Sequence, residues 1–142
     1  MTITPIDSRL SVSDQPDEAA IAAMPGRGFA LLINNRPDGE EPGQPGSAAE
    51  AAATEAAGLS YLHLPVEGPT ITREDIARFR EAVETASGPV LAHCRSGTRS
   101  LTLWALSEVL AGRLRRDELA AYGRERGFDL AGAVRWLDAH GT

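Results

Sequence analysis

Phe29-Ala-Leu-Leu-Ile33 is an unbroken apolar run closed by Gly28 before it and Asn34 after it. A strand of that composition has no polar face to turn toward water, so it must be covered on both sides, as strands inside a parallel sheet are. Tyr61–Leu64 and Pro89–Ala92 are two more short apolar runs of the same kind. Segments with helical signatures separate them, and strands alternating with helices predict right-handed crossovers. The expected fold is therefore α/β, a small, mostly parallel sheet flanked by helices. A length of 142 residues leaves room for one domain, residues 1–142.

The helices announce themselves at their ends. Asp14, Pro16, Asp17 and Glu18 mark a first helix that stops by Pro25-Gly26, and Arg9–Ser13 before it reads as a short edge strand. Ser47-Ala-Ala-Glu50 has capping-box spacing and opens an alanine-rich helix ending at Gly58. Thr72, with Asp75 three residues on, caps a helix whose apolar residues Ile76, Phe79 and Val83 recur at helical spacing. From Ser100 the pattern is helical, with Leu101, Trp104, Ala105 and Val109 on one face and a break at Gly112. Two shorter helices are expected around Asp117–Arg126 and Leu130–His140. Trp104 and Trp136 read as core, His63 as structural or solvent-facing, His140 as surface, and Arg113, Arg115 and Arg116 as a solvated helix junction.

Charge and composition remove several classes of function. The formal charge of −6 has the wrong sign for a protein that grips phosphate backbones, so nucleic acid is not an expected partner. No apolar run reaches the roughly 18–20 residues that span a bilayer, and the opening MTITPIDSRL has neither the basic nor the apolar region of a secretory signal. With a single cysteine no intramolecular disulfide can form, and the expected location is the cytoplasm. The three histidines are scattered, so no metal site and no cofactor is expected.

Chemistry concentrates after the strand Pro89–Ala92, in His93-Cys94-Arg95-Ser96-Gly97-Thr98-Arg99-Ser100. A strand, a cysteine, a tight glycine-containing loop and an immediate helix form a nest of backbone N–H groups, to which the helix dipole adds. Such surroundings stabilise a thiolate, so Cys94 is expected to be a nucleophile. Arg95, Ser96, Gly97 and Thr98 would line the cradle, and Arg99 would fork two N–H bonds onto an anion. Ser100 is placed to hydrogen-bond the thiolate, and His93 to brace a loop carbonyl. Ligands of parallel sheets sit beyond the carboxyl ends of the strands. The long Asn34–Pro45 loop reaches that end too, bringing Asn35 and Arg36 as walls of the cleft.

These residues, with Ile33-Asn-Asn-Arg-Pro-Asp-Gly-Glu-Glu41, Gln44-Pro45 and Tyr61-x-His-x-Pro-Val66, resemble the bacterial beta-lactamase-hydrolase-like, phosphatase-like domain family over about residues 5–110. The resemblance implies a cysteine-phosphatase-like fold of the dual-specificity type and either phosphatase or sulfurtransferase chemistry. It also implies a functional link to a persulfide dioxygenase, because some members carry a persulfide-oxidising metal domain.

Two features separate the chemistries. Only Arg95, Ser96, Gly97 and Thr98 stand between Cys94 and Arg99, one residue fewer than in the tyrosine phosphatase signature and similar to the rhodanese loop, which holds a single sulfur. A phosphatase also needs a general acid, for which Glu67 and Asp38 are candidates, with Glu40 and Glu41 beside the latter. Transfer of sulfur between thiols needs none. The sequence alone therefore ranks sulfur transfer first: Cys94 would carry sulfane sulfur as a persulfide from a small-molecule donor to a thiol acceptor. A phosphatase acting through phosphocysteine on a phosphorylated substrate is the alternative. A non-enzymatic anion-binding or redox-sensing module is the third reading.

Overall fold

The computed structural model describes residues 1–142. Five strands form one sheet in the order β1-β2-β5-β3-β4: β1 (Ile3–Pro5), β2 (Leu10–Ser13), β3 (Leu31–Asn34), β4 (Ser60–His63) and β5 (Val90–His93). Only the β1–β2 pair is antiparallel; β2–β5, β5–β3 and β3–β4 are parallel. The expected mixed α/β architecture is thus observed.

Alternation along the strands distributes the core to two faces. Leu32 and Leu91 point to one side, where they meet Ile21 and Met24 of the first helical segment. That side is covered by α1 (Glu18–Ala23) and α2 (Ser47–Ala57), which pack on each other. Ile33, Val90 and Ala92 point to the other, larger core, with Phe79, Leu101, Leu106 and Trp136. There α3 (Arg73–Thr85) and α4 (Thr98–Leu110) pack side by side, and α5 (Leu119–Glu125) and α6 (Ala131–Ala139) close the end. In α4 every residue from Ser100 to Ser107 is buried, so this helix is central rather than amphipathic.

Two local expectations are corrected. The Arg9–Ser13 segment is not an edge strand: Leu10 and Val12 are fully buried because Ile3–Pro5 pairs outside it. Nor do Ser47 and Glu50 form a capping box. Ser47 lies inside α2, and Asp38 in the preceding loop accepts from both its N–H (2.7 Å) and its hydroxyl (2.6 Å), which frees Glu50 to face inward. The capping box at Thr72 and Asp75 does form. Trp104 and Trp136 are core residues, and Arg115 and Arg116 pair with Asp117 and Asp138 on the surface.

Candidate active site

The registers of β3 and β5 set Asn34 beside His93, so the chain leaves both strands at the same level. Asn35 and Cys94 are the next residues, and they build the floor of the site together. The Asn35 N–H donates to the His93 carbonyl (2.8 Å), its amide nitrogen to Leu64 O (2.9 Å), and its amide oxygen accepts from the Ser100 hydroxyl (2.8 Å). One buried side chain thus ties β3, the segment after β4, and α4 into a fixed frame.

Cys94 sits in this frame with its sulfur almost wholly buried, accepting from the Gly97 N–H at 3.0 Å. Gly97 makes the turn at φ 99°, a left-handed conformation that favours glycine. A Cβ there would also lie 3.1 Å from the Phe128 ring. The backbone N–H groups of Arg95, Ser96, Arg99 and Ser100 donate to no carbonyl and no side chain of the protein. Two of these amides belong to the loop and two to the first turn of α4, where helical amides have no intrahelical acceptor.

Arg99 is held end-on. Its Nη1 and Nη2 fork onto the Glu40 carboxylate at 2.7 and 2.8 Å, and Nη1 also donates to Val66 O at 3.1 Å. Its Nε–H and the outer Nη2–H, which lie on one edge of the guanidinium and form a second parallel fork, have no oxygen partner. Hydrogen bonding to Glu40 raises the Arg99 pKa against an opposing desolvation, with the Cys94 sulfur contributing in the same direction as Glu40. Glu40 in turn is held below the usual carboxylate range, first by Arg99 and against its own partial burial, with Arg36 assisting.

The expected walls of the cleft lie beneath it. Arg36 is buried, donates to Glu40 (3.0 Å) and to Gln15 (3.1 Å), and sets its Nη2 2.8 Å from Glu41 without hydrogen-bond alignment. Asn35 and Arg36 therefore position the site rather than face its ligand. Arg95 is 67% exposed and pairs with Glu41 at 3.3 Å. Ser96 and Thr98 pair their hydroxyls on the outer rim (3.2 Å). Ser100 is corrected as well: its single hydroxyl proton goes to Asn35, not to the thiolate. Asp38 is tied up at the start of α2, and the Ser47 hydroxyl and N–H hold its pKa down, so it is an ionised helix cap rather than an acid. Glu67 is exposed one residue after Val66, whose carbonyl touches Arg99.

His93 braces the loop as expected, with Nδ1 3.1 Å from the Cys94 carbonyl. The reading of the sequence missed its other partner. Nε2 lies 2.7 Å from Glu50, a buried carboxylate on α2 that Gln15 also contacts (2.9 Å). Two oxygens face the two ring nitrogens, so the pair as a whole holds the hydrogens for both contacts. An isolated glutamate in an alanine-rich helix gave no local signal beyond its capping-box spacing.

A parallel sheet that delivers a buried cysteine into a nest of amides closed by an arginine defines a phosphatase-like domain with a catalytic-cysteine loop. Residues 2–111 match the family model described as beta-lactamase hydrolase-like protein, phosphatase-like domain, and the chain belongs to that family. It is 51% identical over 138 residues to a beta-lactamase hydrolase-like protein of Xylella fastidiosa, covering 97% of this chain and 32% of that protein. The Agrobacterium fabrum relative of the same name is 49% identical over 94% of this chain, so the chain spans about a third of the length of the curated relatives it matches. Among solved structures, a candidate phosphatase from Neisseria meningitidis superposes with a TM-score of 0.85 at 34% identity, covering 98% of both chains. Tk-PTP in its active form gives 0.71 at 25% identity, covering 96% of this chain and 94% of that one. No helix is long and apolar enough to cross a membrane.

Proposed function

We propose that this domain hydrolyses phosphate monoesters through a phosphocysteine on Cys94. The observation that carries the reading is the set of donors around the sulfur. The amides of Arg95, Ser96, Arg99 and Ser100 lack protein partners, and the second edge of Arg99 has no oxygen partner while the guanidinium interacts with the Cys94 sulfur. A phosphoryl group presents three oxygens to such an array, whereas the terminal sulfur of a persulfide is one weak acceptor. The sequence ranking rested on the residues between Cys94 and Arg99 and on the want of a clear general acid, but α4 starts at Thr98, so its first-turn amides add to the donors that the loop supplies. The Neisseria and Tk-PTP neighbours support the same choice.

In this mechanism the Cys94 thiolate attacks phosphorus in line as the ester P–O bond breaks, and Arg99 and the amides hold the equatorial oxygens. The leaving oxygen takes a proton from Glu67, the carboxyl nearest in sequence to the Arg99 contact that is not held in an ion pair or cap. Water then attacks phosphorus, giving a proton to the Glu67 carboxylate as the sulfur–phosphorus bond breaks, which releases phosphate and restores the thiolate and the acid. Sulfur transfer remains the second reading, favoured by the short Cys94–Arg99 spacing, with a small-molecule donor, a thiol acceptor and a persulfide dioxygenase as functional partners.

The test runs both chemistries side by side. Phosphate release from an aryl phosphate by the wild type, lost by at least about 10³-fold in Cys94→Ser, is the expected result. Intact mass after exposure to glutathione persulfide reports the other reaction. A stable gain of one sulfur that a thiol removes, with no phosphate released from any ester of a panel, would replace the first reading with the second.

A further inference from the structure

Beyond the nucleophile, the exposed surface beside Arg99 opens into a cavity of about 230 Å³. Thr98, Arg99 and Thr102 of α4 form one wall, and Asp129, Gly132 and Arg135 the other. Arg135 is exposed and makes no ion pair and no hydrogen bond to the protein. Arg27, Arg78, Arg113 and Arg124 also lack a side-chain partner, but of these free arginines Arg135 is the one that shares a cavity with Arg99. The carboxylate that shares its cavity, Asp129, instead accepts from the Ala131 N–H at 2.9 Å and caps α6.

The free guanidinium lies toward Gly132. A Cβ built at that position would lie 3.6 Å from Arg135 Nη2, so the arginine folds back along the helix over the bare glycine. Gly132 has no positive φ, so the backbone does not call for glycine there. Its missing side chain leaves the floor of the cavity open between the two arginines.

We propose that this cavity is a second anion subsite, in which Arg135 pairs with an acidic group carried on the substrate next to the phosphate held by Arg99. The proposal rests on the phosphate-ester reading above and deepens it: the preferred substrates are phosphate monoesters bearing a second anion, a carboxylate or another phosphate. Thr98 and Thr102 supply neutral hydrogen-bonding groups between the two charges. Asp129 lines the same cavity and disfavours an anion placed against it.

Binding and turnover are measured with two probes, phenyl phosphate and its carboxylate-substituted analogue, carboxyphenyl phosphate. Titration calorimetry on the Cys94→Ser protein reads affinity without turnover. The analogue should bind about fivefold more tightly than phenyl phosphate, the range of a partly exposed ion pair, and added salt should erode that preference. In Cys94→Ser/Arg135→Gln the ratio should fall toward one, and in Cys94→Ser/Arg135→Lys it should be partly retained. Equal affinity for the two probes, or a preference that survives Arg135→Gln, overturns the subsite. An acidic phosphopeptide and a small diacid phosphate, compared in the same way, separate the two sources of the second anion. Wild-type turnover of the same probes tests the chemistry separately: absent phosphate release removes the ester reading even where the binding preference stands.

Discussion

Glu40 decides how Arg99 meets its ligand, and replacing it by glutamine isolates that role. The wild-type carboxylate receives both Nη groups of Arg99 at 2.7 and 2.8 Å and Arg36 Nε at 3.0 Å. Glutamine keeps the shape and one acceptor oxygen, but it turns an NH2 donor toward a guanidinium that has only donors to offer. A charge-assisted hydrogen bond is worth about 1.5–3 kcal/mol, and the partial exposure of both partners, 20% for Arg99 and 26% for Glu40, screens it. A cost of about 1–2 kcal/mol in holding Arg99 is expected, which corresponds to a loss of roughly 5–30-fold in kcat/KM where Arg99 acts in the transition state. Removing a negative charge near a site for anions works the other way on binding, so kcat should carry the loss while KM stays level or falls. Steady-state kinetics of Glu40→Gln on an aryl phosphate provide the check. An unchanged kcat with a lowered KM would refute the reasoning, because it would make Glu40 a competitor for the substrate's place instead of a positioning residue. The pH dependence gives a second check. Glu40 has a depressed folded-state pKa, so its stabilising contribution is complete above the unfolded glutamate value near ~4.3 and is lost as pH falls through the lower folded value. Urea midpoints of wild type and Glu40→Gln should therefore differ at neutral pH and converge in strong acid.

Other positions give independent tests. Glu50→Ala leaves His93 buried opposite nothing and should cost about 3–5 kcal/mol in denaturant unfolding, against about 1–3 kcal/mol for Glu50→Gln, which keeps a hydrogen-bonding group; equal small losses would show that the pair bears no stability. Gly97→Ala forces a side chain into φ 99° and toward Phe128, so it should destabilise by about 1–3 kcal/mol and cut turnover at least about tenfold by moving the N–H that faces the sulfur. Wild-type stability and rate in that variant would remove the loop geometry from the mechanism. Asp38→Asn, which keeps an acceptor oxygen for Ser47, should change the denaturation midpoint little and leave the pH profile of kcat in place; loss of one limb of that profile would return Asp38 to the role of acid.

The architecture was legible because its signals are local. Apolar runs such as Phe29–Ile33, glycine at the end of α2 and the Thr72–Asp75 box each fix an element from a few neighbouring residues. Cys94, Gly97 and Arg99 were legible for the same reason, since strand, loop and helix start lie within one short stretch. What stayed hidden depends on pairs distant in sequence. Ser100 looked free to serve the sulfur until the fold brought Asn35 to it across 65 residues of chain. Glu50 does not take the capping role its spacing suggested, because the loop before α2 folds back to hold the helix start through Asp38 and the helix turns its glutamate to His93. The strand order also escaped: Ile3–Pro5 carries too little apolar alternation to announce itself, yet its pairing makes β2 an interior strand.

The Asn34–Pro45 loop follows from the same geometry. A cysteine loop with Arg99 so soon after Cys94 leaves few residues of its own to orient the arginine. The orientation is supplied from β3: Arg36 is buried at the carboxyl end of that strand, fixes Glu40 through its Nε, and Glu40 then grips Arg99 from outside. Gln44 holds the turn by accepting from the N–H groups of Glu40 and Glu41 and donating to Pro37 O at 2.7 Å. A buried arginine is costly by itself, and Arg36 is met by the carboxylates of Glu40 and Glu41. Here it carries a chain of charges outward, Arg36 to Glu40 to Arg99, in which each ion is neutralised by the next and the final edge is left for the ligand. On the phosphatase reading, anion binding at Cys94 thus depends on two loops from adjacent strands, and the shorter one can stay short because the longer one positions its arginine.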